Sequence, residues 1–94
     1  DLKISVRDLN KNDISERDLP KNTSGVVVTE ISEGSPLRFL SINDVIVEVQ
    51  KKKVMNSDQF SKIVKDTINN GQKTLLFAIF NSSNQRTYLT VKLK

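Results

Sequence analysis

SGVVVTEISEGSPLRFLSINDVIVEV, residues 24–49, holds two short apolar runs, Val26-Val27-Val28 and Val45-Ile46-Val47, separated by a segment that opens Gly34-Ser35-Pro36 and closes Asn43-Asp44. Compact β-branched runs bounded by turn formers are the pattern of buried strands. Ser35 suits an N-cap and Pro36 the first helical position, where its missing N–H costs nothing, so residues 37–40 are expected to make one helical turn. Asn43 suits the left-handed conformation usually given to glycine. The stretch therefore predicts strands over residues 26–31 and 44–49, stitched together by a short helix.

Upstream, Leu2-Lys3-Ile4-Ser5-Val6-Arg7 alternates apolar and polar, which predicts a strand with Leu2, Ile4 and Val6 on one face. The following NKNDISERDLPKNTSG is polar and rich in turn formers; Asn12 or Asp13 is placed to cap a short helical turn carrying Ile14, which Pro20 stops. Downstream, Gln50-Lys51-Lys52-Lys53 reads as a polar turn, with Val54 returning to the core. Asn56 opens the clearest helix, with Gln59 in capping-box position and Asp58 in the first turn, where it complements the helix dipole. Phe60, Ile63, Val64, Thr67 and Ile68 recur at helical spacing, and Asn69-Asn70-Gly71 ends the run. Residues 73–80 predict an apolar strand, residues 81–84 a hairpin turn, and residues 87–93 an alternating strand with Leu89, Val91 and Leu93 inward. There is no internal repeat or low-complexity tract. About five strands, one main helix and one or two short ones predict an α+β fold, a small antiparallel sandwich or partly open barrel.

The 94 residues fit one domain with one modest core. With 36% hydrophobic and 28% charged residues the composition is that of a globular module rather than a disordered or collagenous chain. No apolar run approaches the roughly 20 residues of a membrane-spanning helix, and DLKISVRDL lacks the basic start and apolar stretch of a signal peptide. Because it starts without Met, the chain is expected to be a mature or excised piece of a longer protein. Cys 0 removes disulfides and thiolate metal sites, and His 0 removes a Ser-His nucleophile pair and the common imidazole metal sites from this chain. A net charge of +4 favours anionic partners only mildly.

Residues 25–36, GVVVTEISEGSP, followed by NDVIVEV at 43–49, resemble the PDZ domains of the bacterial Do-type serine proteases, the HtrA/Deg family. Those domains repeat a GVVVTEVxxGSPA strand and turn, a GD-VI strand and turn, a helix opening on Ser, and two closing strands. The likeness runs in the same order over residues 1–94, which implies a single PDZ domain. The segment LNKNDISERDLPKNTSG looks most like the second PDZ of a two-PDZ member.

The resemblance implies a groove between the early strand and the helix of residues 56–68, in which an extended peptide adds as a strand to the sheet edge. In that family an apolar-Gly-apolar loop holds the ligand's terminal carboxylate with backbone N–H groups. Here the loop falls on Leu2, Lys3 and Ile4, with Ser5 and Val6 continuing the ligand-binding strand. Lys3 stands where the family has glycine; a side chain resists φ > 0, so the amide nest is expected to be misformed unless the ammonium restores anion attraction. The other reading is a first strand that binds no C-terminus. On the helix, Ser57, Ser61 and Val64 match the peptide-facing positions, with Val64 flooring the pocket for the last ligand residue, while Phe60, Ile63 and Thr67 face the core. Phe39, Leu40, Phe77 and Phe80 also read as core.

Lys51-Lys52-Lys53 invites a nucleic-acid reading, but neither interleaved aromatics nor a Gly-rich phosphate loop accompanies it, and a solvated hairpin tip accounts for it. Carboxylate pairs such as Asp8 with Asp13 or Glu16 with Asp18 lack the apolar surroundings that acid/base catalysis requires. The expected function is thus a non-catalytic, cofactor-free PDZ module of a periplasmic Do-like serine endopeptidase, whose catalytic domain lies outside this chain. Its partners would be C-terminal or extended segments of misfolded envelope proteins and neighbouring protomers, with no nucleic acid and no membrane span. The alternative is a structural PDZ domain that assembles the parent protease without binding free peptide. PDZ domains of rhomboid-like or site-two proteases fit the strand-and-turn wording less well.

Overall fold

A computed structural model describes residues 3–35, 40–81 and 83–92. Its elements follow the chain as β1 (Ile4–Asp8), α1 (Lys11–Glu16), β2 (Val26–Ile31), β3 (Val45–Val49), β4 (Lys52–Lys53), α2 (Ser57–Asn69), β5 (Thr74–Phe80) and β6 (Arg86–Lys92). The strands form one antiparallel sheet in the order β1-β2-β3-β5-β6, with β4 paired to β3. This is the α+β, mostly antiparallel architecture that the sequence predicts. The helical turn expected over residues 37–40 lies largely outside the described residues, as do Pro36, Phe39 and Leu93; Leu40 is buried.

The central strands carry continuous apolar runs because both faces of the sheet are covered there. On one face Val26, Val28, Ile46, Val49, Leu75, Phe77 and Ile79 pack with Phe60, Ile63 and Val64 of α2. On the other, Val27, Val45, Val47 and Ala78 pack beneath Leu19, with Leu9, Ile14 and Phe80 at the margin. Successive side chains of a strand point to opposite faces, so Val26-Val27-Val28 serves both clusters. The rings of Phe60 and Phe77 meet with centroids 6.4 Å apart, joining α2 to β5. At the sheet's ends alternation returns: Ile4 and Val6 of β1 and Leu89 and Val91 of β6 pack on the α2 side.

Several local details differ from the sequence reading. The first helix is capped by Asn10, not Asn12 or Asp13: the Asn10 side chain accepts from Asp13 N–H at 2.9 Å and the Asp13 carboxylate accepts from Asn10 N–H at 2.9 Å. That reciprocal box satisfies two orphan donors, which a cap further along could not do. The polar turn is narrower than residues 50–53. Gln50 and Lys51 take φ of 54° and 65°, the backbone of a tight two-residue hairpin, and Lys52 and Lys53 pair back on Val49 and Glu48 as the added strand β4. Gln50 is held there by β5: its N–H donates to Leu76 C=O at 2.8 Å and its side chain accepts from Leu76 N–H at 2.7 Å. Asn56 caps α2 as expected, accepting from Gln59 N–H at 2.8 Å, but the Gln59 side chain takes the N–H of Met55 at 2.7 Å instead of that of Asn56.

Asn43 adopts φ 79°, the left-handed conformation its type predicts. The buried Asp44 beside it accepts from Ser41 N–H at 2.9 Å, so β3 starts at Val45, one residue later than expected.

Candidate functional site

β1 ends the strand order, so one of its backbone edges pairs with β2 and no strand occupies the other among the described residues. Its alternation is intact: Ile4 and Val6 are half-buried towards the core, and Ser5 and Arg7 are exposed on the other face. The register slip between Ser5 and Val6 leaves an extra residue on the β2 side, since Ser5 pairs with Glu30 and Val6 with Val28.

α2 lies against β1. Ser57, Ser61 and Val64 recur at spacings that keep them on one stripe of the helix, beside the core stripe of Phe60, Ile63 and Thr67. Ser57 is half-buried and Ser61 exposed, while Val64 is 8% exposed and shares the core cluster against which Ile4 and Val6 pack. The buried Thr67 hydroxyl is satisfied by donating to Ile63 C=O at 2.7 Å. The N-terminus of α2 is tied to the far end of β1, where Ser57 N–H donates to Asp8 Oδ1 at 2.7 Å. These positions define a candidate trough, with Ile4 and Val6 to one side and Ser57, Ser61 and Val64 to the other.

Leu2, the first residue of the expected carboxylate loop, lies outside the described residues. Lys3 corrects an expectation: it takes φ 56°, so it adopts the left-handed backbone that its side chain was expected to resist. That conformation costs a non-glycine residue on the order of 1–2 kcal/mol. Lys3 C=O accepts from Ser32 N–H at 2.8 Å, anchoring the loop to the end of β2, and the Lys3 ammonium reaches the turn at Gly34. Ser5 lies on the face away from α2 and borders the trough only through its backbone.

Two residues beside the candidate trough were read otherwise in the sequence, Ile68 with the core periodicity of the helix and Asp8 as one of a carboxylate pair. Ile68, 37% exposed, continues the stripe of Ser57, Ser61 and Val64 by one more turn, and that spacing was there to be read. Asp8 continues the period of Ile4 and Val6, but its bond to α2 joins residues 49 apart and leaves no local signal.

Arg7 grips Asp13 through both carboxylate oxygens, at 2.7 and 2.8 Å. This hydrogen bonding, helped by Asn10 N–H and opposed by burial, lowers the Asp13 carboxyl to about 2, the reverse of what a general acid needs. Among the described residues no group of three or more His, Cys, Asp or Glu side chains could hold a metal ion, and no helix is long and apolar enough to cross a membrane. Lys53 borders a shallow cavity of about 260 Å³ formed with Pro20, Val47, Phe80 and the Glu48–Arg86 ion pair.

Known structures superpose on this arrangement of sheet and helices. The HtrA3 PDZ domain bound to a phage-derived ligand, FGRWV, matches 98% of this chain and 80% of its own length, with a TM-score of 0.69 and 20% identity. The fold is that of a PDZ domain. A second structure, the HtrA-type protease AlgW with a decapeptide, gives a TM-score of 0.65 at 19% identity over 97% of this chain, which spans 27% of that protein. No protein-family model and no curated protein sequence matches the chain. In this PDZ fold the N-terminal strand β1 is the edge strand that flanks α2.

Proposed function

We propose that residues 1–94 form one non-catalytic PDZ domain, the second of an HtrA-type serine protease, which binds extended or C-terminal peptide segments by adding them as a strand to the outer edge of β1. The observation that carries this reading is the unpaired edge of β1 running beside the Ser57, Ser61 and Val64 stripe of α2, with Lys3 at φ 56° where the strand begins. Main-chain pairing would supply affinity, and Val64 with Ile68 would receive an apolar terminal side chain. Leu2, Lys3 and Ile4 would turn their amides to the ligand carboxylate, while Ile4, Ser5 and Val6 would pair with its backbone. Both comparison structures are described with peptides, which supports the class of ligand.

Proteolysis would belong to a separate trypsin-like domain, and the peptides to misfolded proteins of the bacterial envelope, with the periplasm as the place of work. The rival reading, an assembly module that engages neighbouring protomers and binds no free peptide, drew on Lys3 spoiling the loop; the left-handed Lys3 favours peptide binding instead. The test is an amide chemical-shift titration with apolar C-terminal peptides beside the same peptides carrying C-terminal amides. Residues 4–7 and 57–64 are expected to shift together, and amidation to weaken the effect. Unmoved signals with both sets would overturn the peptide reading in favour of assembly.

A further inference from the structure

The trough has a fixed charge at the end away from its entry. The alternation that sends Ile4 and Val6 towards α2 sends Asp8 the same way, and its Oδ1 is held by Ser57 N–H at 2.7 Å. Asp8 is nevertheless exposed, so the carboxylate is oriented by the helix terminus while still presenting lone pairs to solvent. Asp58, exposed in the first turn of α2, adds to the negative sign there. The neighbouring cation, Arg7, is on the opposite face and bound to Asp13 through both carboxylate oxygens. Its Nη1 also donates to the main-chain oxygen of Asp8 at 3.2 Å, leaving the Asp8 side chain to the trough.

Strand geometry says which ligand residue meets this carboxylate. In antiparallel addition, facing residues lie side by side on the same face of the sheet. A ligand whose terminal residue faces Ile4 sets its third-from-last residue against Val6 and its fifth-from-last against Asp8. Both of those side chains fall on the α2 side of the sheet, since the two strands share one pleat. The small Ser57 and Ser61 leave room for them to extend along the helix.

We propose that Asp8 is a specificity-determining residue that selects peptides carrying Lys or Arg four residues before an apolar C-terminal residue. The inference rests on the peptide-binding reading above and adds to it the class of ligand. An exposed ion pair of this kind changes affinity by roughly two- to fivefold, and replacing the cation by an anion doubles the contrast on a logarithmic scale.

The experiment uses three fluorescently labelled peptides with a common apolar C-terminus and Lys, Ala or Glu at the fifth-from-last position, titrated against the wild-type chain and Asp8→Asn by fluorescence anisotropy. Asn keeps an oxygen that accepts from Ser57 N–H but removes the charge. The expected order of affinity in the wild type is Lys above Ala above Glu, with a spread of roughly tenfold between Lys and Glu that shrinks in 0.5 M salt. In Asp8→Asn the three peptides should bind with affinities within about twofold of one another. Equal binding of all three to the wild type, or a preference that persists unchanged in Asp8→Asn, overturns the role of Asp8 while leaving peptide binding intact. If none of the three binds either protein, the groove reading falls and this inference with it.

Discussion

Gly25 stands where a single methyl group has no room. A Cβ built on it would lie 2.2 Å from the main-chain oxygen of Ile46, and its φ of 150° is one that side chains rarely adopt. The backbones of the β2 start and β3 can approach only because that atom is missing. Gly25→Ala should therefore destabilise the domain by about 3 kcal/mol or more, read as a lower urea midpoint, and a loss under about 1 kcal/mol would mean the strands part easily. Lys3, Gln50 and Lys51 are the opposite case, side chains in conformations that glycine or asparagine usually supplies. Gln50 offsets its strain through its hydrogen bonds with Leu76, and Lys3 is anchored by Ser32. Residue type alone does not disclose such compensation.

At the level of elements, α1 is too short to persist alone, and its attachment to β1 runs through Asp13. That carboxylate takes both nitrogens of Arg7 and the N–H of Asn10, so it joins helix, cap and strand. Its folded pKa of about 2 lies below the ordinary 3.8, so as pH falls the unfolded chain takes up the proton first. The stabilisation is complete above about pH 5, declines as pH falls below 4, and is lost as pH falls through about 2. With Arg7 partly open to solvent, its size is about 2 kcal/mol at most. Urea midpoints measured from pH 7 to pH 2 should show Asp13→Asn converging on the wild type in acid, after lying below it at neutral pH. A difference undiminished at pH 2 would assign the effect to packing instead of charge.

For the whole molecule, the two-sided sheet sets a gradient of stability. β3 and β5 are paired on both edges and covered on both faces, whereas β1 has one paired edge and exposes Ser5, Arg7 and Asp8. Local opening is easiest where contacts and paired edges are few. Native-state hydrogen exchange should find the slowest amides in β3 and β5 and markedly faster ones in β1; equal protection in β1 would contradict an open edge. The softer strand is also the one at which a ligand strand is proposed to add. Pairing there would cover its outer hydrogen-bonding groups at little cost to the core, because the ligand joins beyond the last ladder.

Much of this was legible because it is local. The β-branched runs at Val26 and Val45, the Asn56 cap with its 3.6-residue periodicity, and Asn43 in the left-handed region each depend on a residue and its near neighbours, and backbone sterics and hydrogen-bonding chemistry act at that range. The family-like order of those elements was equally readable, since it requires only that they be recognised in sequence. Tertiary structure decided what depends on partners distant in the chain. Lys3 turns left-handed within a loop anchored by Ser32; Gln50 forms its turn against β5; Asp8 holds the first N–H of a helix that begins 49 residues later. In each case the local preference is worth a kcal/mol or two, small enough for one well-placed hydrogen bond and the surrounding packing to override.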